Sequence, residues 1–389
     1  MYGFVGSLGW GLAMNGVTAW LGPGLDPNEL RGWAARKNLA EDARWAMDTI
    51  LSGNDIPQFG PYVALLLGHH FVRIAYEGAI AIRSGNPHVG IPALAALLND
   101  TFAQITASAR HLTKMLDNKK KTYADILAEL AAELEAHHNA FTGQAVRLAR
   151  WLETNLGLFY VDGALVGATV PIAYRLGLNP AQPASIWGAG LDAITREWGG
   201  TLAVLGAATL DGNEPKATLD LTGIRVTSQD QRADRYLAGR FDPQFPVELK
   251  ILILMIEGDL NTARLVLPRM ARGHQSADFR ARTVTCYHCL SALKRICDQY
   301  PGLNTKGLSG LRAILTDAPA KRLLSPPGEK VRNRSVHYEM NDPAIIPDLA
   351  RPMNGLVEAV CCGWSWEAFD QDVREITERS AEHLAEWRA

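Results

Sequence analysis

Five cysteines in 389 residues, an odd number in a long chain, give no basis for a disulfide framework and fit a reducing compartment, so a cytoplasmic protein is expected. Excess charge of either sign is missing as well. The 39 Lys and Arg against 41 Asp and Glu give a net charge of −2, so overall charge selects no partner and any claim on nucleic acid must rest on a local patch. Long hydrophobic runs are lacking too. The opening MYGFVGSLGWGLAMNGVTAWLGPGL is uncharged, but it has no basic start, and glycines, Asn15 and Pro23 interrupt it. Elsewhere no apolar run reaches the ~20 residues of a spanning helix, and LILMIEGDL breaks at Glu257, so no membrane partner is expected. There is no internal repeat, no phosphate loop ending in Lys-Ser or Lys-Thr, and no nucleophile elbow. The nearest imitation of the elbow is GLSGL at 307–311, placed in a loop after YPGLNTK.

What is present is an ordinary globular composition, 47% apolar and 21% charged, in a chain long enough for two or three cores. Most of it repeats apolar residues with the helical period, over about 40–51, 60–84, 92–116, 123–156, 185–208, 246–266, 275–300, 345–361 and 366–387. Thr122 with Asp125 three residues on reads as a capping box opening the fourth of these. Only KATLDLTGIRVTSQ, 216–229, alternates like a strand, with Thr-Gly as a hairpin turn. The expected architecture is mainly α: a helical regulatory or interaction body over 1–209, a connector with a short β-hairpin over 210–245, and a helical bundle over 246–389. Trp10, Trp20, Trp33 and Trp45 are assigned to the core of the first body.

Two patterns suggest metal and do not carry it. Glu135-x-x-His138 has the spacing that bundle helices use for carboxylate-bridged metals, and His69–His70 lies in the same half, but a second Glu-x-x-His is absent. CYHC at 286–289 with Cys361–Cys362 falls short of two properly spaced zinc pairs. Cys286, Leu290, Leu293 and Cys297 instead fall on one helical stripe, which assigns those thiols to the core. No metal and no cofactor is expected.

The stretch GEKVRNRSVHYEMNDP, 328–343, is different. A helix starting near Gly328 and closing before Pro343 would crowd Lys330, Arg332 and Arg334 into its first turns, against the helix dipole. An anion would relieve that conflict. With Lys321 and Arg322, residues 321–334 hold five cations and the single anion Glu329, a local patch suited to phosphate. Asn333 and His337 lie about 40° apart on a helix, so the amide could orient the imidazole, whereas Arg332 is about 140° round from it. A second copy of the helix could supply the missing partner, which predicts a dimeric site. The chemistry available is metal-free: His337 exchanges protons with a ribose 2′-hydroxyl and the 5′-oxygen, and Arg332 neutralises charge on the phosphorane. Tyr338 either stacks on a base or packs into the bundle.

RNRSVH followed by Tyr338 resembles the Arg-x4-6-His signature of the HEPN superfamily, in which the residue after the arginine is commonly Asn, Asp or His. Arg83…His88, Arg269…His274 and Arg282…His288 have similar spacing, but none carries Asn after its arginine. The resemblance covers roughly 246–389. It implies a four- to five-helix bundle, a homodimer with two motifs facing one cleft, and a metal-independent endoribonuclease of toxin–antitoxin or antiphage systems. Arg332 and His337 would be catalytic, with Asn333 orienting; Lys330, Arg334, Tyr338, Lys321 and Arg322 would bind RNA, and a regulatory protein partner would address the first body. Members silenced by AMP transfer carry a tyrosine two places after the histidine; here Glu339 stands there, so that control is not implied. Two other readings stay open: a non-catalytic RNA-binding or dimerisation module of the same shape, and a metal-dependent helical-bundle enzyme.

Overall fold

Side-chain capping opens the helices Tyr123–Phe141, Lys306–Thr316, Pro326–Val336 and Trp366–Ala385. The Thr122 hydroxyl accepts from the Asp125 N–H at 3.2 Å while the Asp125 carboxylate accepts from the Thr122 N–H at 2.8 Å, the reciprocal capping box read from the sequence. In this computed structural model the described residues are 26–54, 56, 59–83, 110, 116, 121–142, 153–176, 191–209, 219, 221, 223–338, 340 and 342–387. The uncharged segment 1–25, with Trp10 and Trp20, lies outside them, as do nearly all of the helix expected over 92–116 and, at 143–152, most of the end of the helix expected to reach 156.

The first half contributes α1 (Pro27–Asn54), α2 (Gly60–Arg83), α3 (Tyr123–Phe141), β1 (Leu156–Val161), β2 (Ala164–Ala168), α4 (Thr169–Leu176) and α5 (Leu191–Thr209). After β3 (Val226–Gln231) come α6 (Ala233–Arg240), α7 (Val247–Asn261), α8 (Gln275–Gln299), α9 (Lys306–Thr316), α10 (Ala318–Leu323), α11 (Pro326–Val336), α12 (Leu356–Val360) and α13 (Trp366–Ala385). The chain is thus mainly α, as expected, with a small antiparallel sheet in the order β2-β1-β3. Among the described residues no helix is long and apolar enough to cross a membrane.

The sheet corrects the sequence reading. A hairpin exists, but at 156–168: β1 and β2 turn through Asp162 and Gly163, both at positive φ, 51° and 84°, as a tight two-residue turn requires. Among its described residues the connector supplies one strand, β3, and its partner is β1, some 70 residues earlier, with Leu158 opposite Gln229; part of the expected 216–229 hairpin lies outside the described residues. LGLFYV was not legible as a strand because it is buried on both faces, so it shows a continuous apolar run instead of alternation.

Packing does not divide where the connector does. One core joins Ile126, Leu130, Leu156 and Leu158 to α7, α8, α9 and α13; the other joins α1, α2 and α5 to Ala263, Val266, Met270, Ala277, Ala281 and Tyr338. Both cores therefore draw on residues before 210 and after 245. Helix α7 belongs to the first of these cores and is buried at every position from Leu249 to Asn261, with Lys250, Glu257, Asp259 and Asn261 buried beside its leucines and isoleucines. Each of its leucines and isoleucines contributes about 1.5–3 kcal/mol on burial. Helices α7, α8, α9 and α13 pack on one another, and α11 lies against α8 and α10. Trp45 is fully buried; Cys286, Leu290 and Leu293 are at 0% exposure and Cys297 at 7%, the core stripe expected of them.

Candidate active site around His337

Helix α11 begins two residues earlier than expected and ends sooner. The Ser325 hydroxyl accepts from the Gly328 N–H at 3.4 Å, and Pro326 and Pro327 occupy the first turn, positions where a missing N–H costs nothing. The helix stops at Val336. His337 is extended (φ −102°, ψ 131°), and its N–H closes the last turn on the Asn333 carbonyl at 2.9 Å. This shift overturns the argument from the helix dipole. The first turn carries Glu329, while Lys330, Arg332 and Arg334 fall in the middle and end, with Arg334 in the last turn where the dipole favours a cation. The cations are therefore not gathered at the helix start, where the sequence reading placed them.

The expected residues scatter. His337 is 47% exposed, and its Nδ1 lies 2.7 Å from Oε2 of Glu77, a carboxylate on α2 that is 3% exposed. Glu77, instead of the Asn333 amide, orients the ring. Arg332 is buried, its guanidinium 4.5 Å above the Tyr287 ring on α8, so the two members of the expected pair address different helices. Tyr338 is buried and its hydroxyl donates to Asp42 Oδ2 at 2.7 Å, which removes it as a stacking platform for a base. Arg322 is held by both oxygens of Asp372 at 2.6 and 2.8 Å and stacks on Trp364 at 4.1 Å. Lys330 is 63% exposed, 3.9 Å from Asp342; Lys321 is exposed and Arg334 half-buried. Part of the patch seen in sequence is thus neutralised by carboxylates that arrive from elsewhere in the chain.

What gathers behind His337 was not read from the sequence. The Glu77 Oε1 accepts from Nε and Nη2 of Arg110, both at 3.2 Å. One helical turn before Glu77, Arg73 donates to the Ser335 carbonyl and to Asp42, each at 2.9 Å. One turn before that, His69 lies against His70 with ring centroids 3.9 Å apart. Burial, then Arg175, His288, Arg73 and Arg110 around it, hold the His69 imidazole well below its usual pKa, so it is neutral at pH 7. Its Nε2 is sealed from solvent and has no hydrogen-bond partner among the described residues. The signal was available: His69, Arg73 and Glu77 recur every four residues in an otherwise apolar helix, one polar face that a core helix does not need.

Chemically, a buried carboxylate fixes one nitrogen of a half-exposed imidazole and leaves Nε2 as the nitrogen for proton exchange, the arrangement that defines a tautomer and an orientation. Among the described residues no group of three His, Cys, Asp or Glu is placed to hold a metal. His138 lies with Nδ1 3.5 Å from the Asn155 amide nitrogen. The thiols of CYHC are buried, and burial pushes Cys286 up to about 12. No family model, no curated protein and no solved structure matches this chain.

Proposed function

We propose that the chain is a metal-independent endoribonuclease of HEPN type, a cytoplasmic homodimer acting on RNA. The observation that carries the reading is the half-exposed His337 imidazole, held through Nδ1 by the buried Glu77. In this mechanism His337 Nε2 removes the 2′-hydroxyl proton, the 2′-oxygen attacks the phosphorus, and the 5′-oxygen leaves with a proton returned by the imidazolium, giving a 2′,3′-cyclic phosphate. Glu77 sets the tautomer and offsets the transient positive charge. Lys330 and Arg334 attract the phosphate backbone, and Arg332 fixes α11 against Tyr287. The helices before residue 210 then belong to the catalytic body, because they carry Glu77.

His337→Ala abolishes cleavage of end-labelled RNA in EDTA while the far-ultraviolet spectrum and melting temperature stay unchanged. Glu77→Gln, which keeps the shape but removes the charge, lowers kcat by about 10²-fold or more. Full activity in either variant, or activity that EDTA removes, is incompatible with this reading.

The burial of Arg332 favours a second reading, a non-catalytic RNA-binding or dimerisation module. In that case RNA binding survives His337→Ala, weakens when Lys330 and Arg334 are replaced by alanine, and falls steeply with salt, with no cleavage at any point.

A further inference from the structure

One buried ion pair holds the chain on both sides of His337. Two positions before it, the Ser335 carbonyl accepts from Arg73 Nη1 at 2.9 Å; one position after it, the Tyr338 hydroxyl donates to Asp42 Oδ2 at 2.7 Å. Arg73 Nη2 closes the bracket on the same Asp42 oxygen, at 2.9 Å. Asp42, Arg73, Ser335 and Tyr338 are each 2% exposed or less, so none of them reaches a substrate. Arg73 and Glu77 stand one turn apart on α2, about 5.4 Å along its axis. The arginine fixes the backbone at the end of α11, and the carboxylate one turn on receives the imidazole that this backbone delivers.

A second observation lies behind Asp42. Arg280 Nε donates to Asp42 Oδ1 at 2.8 Å, and Arg280 Nη1 is in turn held by Asn38 Oδ1 at 2.9 Å and Met353 Sδ at 3.4 Å. Asn354 Nδ2 donates to the same Asn38 oxygen at 3.1 Å. Met353 and Asn354 reach these partners through a left-handed turn, in which Met353, Asn354 and Gly355 have φ of 50°, 55° and 69° in succession. Side chains other than glycine keep that conformation only where their surroundings impose it, and such residues cluster at functional sites. Here the strained turn backs the carboxylate that brackets His337.

We propose that Asp42 and Arg73 are positioning residues for His337, clamping the chain before and after it so that Nδ1 meets Glu77 and Nε2 is left for proton exchange. The role rests on the ribonuclease reading, but its first test needs no cleavage. Long-range ¹H–¹⁵N spectra of the full chain labelled with ¹⁵N-histidine report the tautomer at pH 8, the His337 signals being those lost in His337→Ala. In the parent the ring proton sits on Nδ1 alone. Tyr338→Phe lacks one side of the clamp, and Arg73→Lys keeps the charge without the two-pronged grip. In both, the His337 ring exchanges between tautomers. His274, held by Asp48 at 3.0 Å, and His383, held by the Gly307 carbonyl at 2.8 Å, keep their parent signals. Cleavage by either variant falls about 10- to 100-fold in kcat with KM unchanged, as for a displaced catalytic group. If Arg73→Lys does not fold, Tyr338→Phe decides. Tautomers that change as stated in a chain that cleaves no RNA sink the ribonuclease reading and leave the clamp standing. The clamp is overturned if a folded variant keeps the single parent tautomer, if the parent ring already populates both, or if kcat is unchanged where the tautomer has changed. Movement of the His274 and His383 signals together with those of His337 also overturns it, since that marks a general loss of packing.

Discussion

The Tyr338 hydroxyl donates to Oδ2 of Asp42 at 2.7 Å, across 296 positions of sequence, and both side chains are buried. Asp42 also accepts from Arg73 Nη2 at 2.9 Å and from Arg280 Nε at 2.8 Å. One carboxylate on α1 therefore ties α2, α8 and the segment after α11 together. Burial opposes its charge, but Arg280, Arg73 and the Tyr338 hydroxyl hold the carboxyl below its ordinary pKa.

Removing that carboxylate leaves buried Arg73 with the Ser335 carbonyl and buried Arg280 with Glu41 and Asn38, each short of its main counter-charge. Asp42→Ala is expected to lose about 3–5 kcal/mol. Tyr338→Phe, which removes a single donor to a charged group, loses about 1.5–3 kcal/mol. Urea unfolding at pH 7 measures both. A Tyr338→Phe protein as stable as the parent would show that the bond adds nothing.

Helix α11 starts where backbone approaches backbone. A Cβ on Gly328 would sit 2.2 Å from the Leu323 carbonyl oxygen and 2.5 Å from that of Arg322, so Gly328→Ala must displace the chain. Overpacking of this kind costs about 1–3 kcal/mol. Gly302→Ala, where a Cβ meets nothing within 4 Å, serves as the control and stays within about 0.5 kcal/mol. Thermal melts that rank the two variants the other way round contradict this packing.

Asp278 gives a pH dependence of unusual sign. Burial outweighs the attraction of Arg282 and Arg374 and pushes its carboxyl from 3.8 to about 6. Below pH 4 the group is protonated whether folded or unfolded and costs nothing. Between pH 4 and 6 the unfolded chain gives up the proton while the folded chain keeps it, so this residue's contribution to stability falls as pH rises, by about 3 kcal/mol in all. Asp278→Asn lacks that fall. The stability of the variant relative to the parent, from urea midpoints, therefore climbs between pH 4 and 7; a flat difference contradicts the assignment.

Thiol reactivity follows burial. Cys286, Cys289, Cys297 and Cys361 are buried and Cys362 is exposed. Desolvation raises Cys286 to about 12 and Cys297 and Cys361 to about 11. Native protein at pH 8 should give one fast thiol per chain with a disulfide reagent and all five in guanidinium chloride. Loss of the fast thiol in Cys362→Ser identifies it; rapid labelling of Cys286 contradicts the packing of α8.

The sequence by itself determined much of the helical pattern and one cap. Thr122 with Asp125 and the stripe of Cys286, Leu290, Leu293 and Cys297 act within a few residues, so period and capping chemistry read them correctly; the breaks did not follow, since α11 opens on Pro326 and ends at Val336, short of Pro343, and GLSGL lies in α9 instead of a loop. Local reasoning also singled out His337. It could not foresee Glu77, 260 positions away, because a carboxylate becomes an orienting partner only when α2 is laid against the end of α11. For the same reason it read Arg322 as a ligand for RNA when Asp372 claims it, and it left Tyr338 between a base-stacking and a packing role that Asp42 decides by drawing the ring inward. Burial and charge pairing are properties of surfaces brought together by packing, and only the tertiary structure decided which surfaces meet.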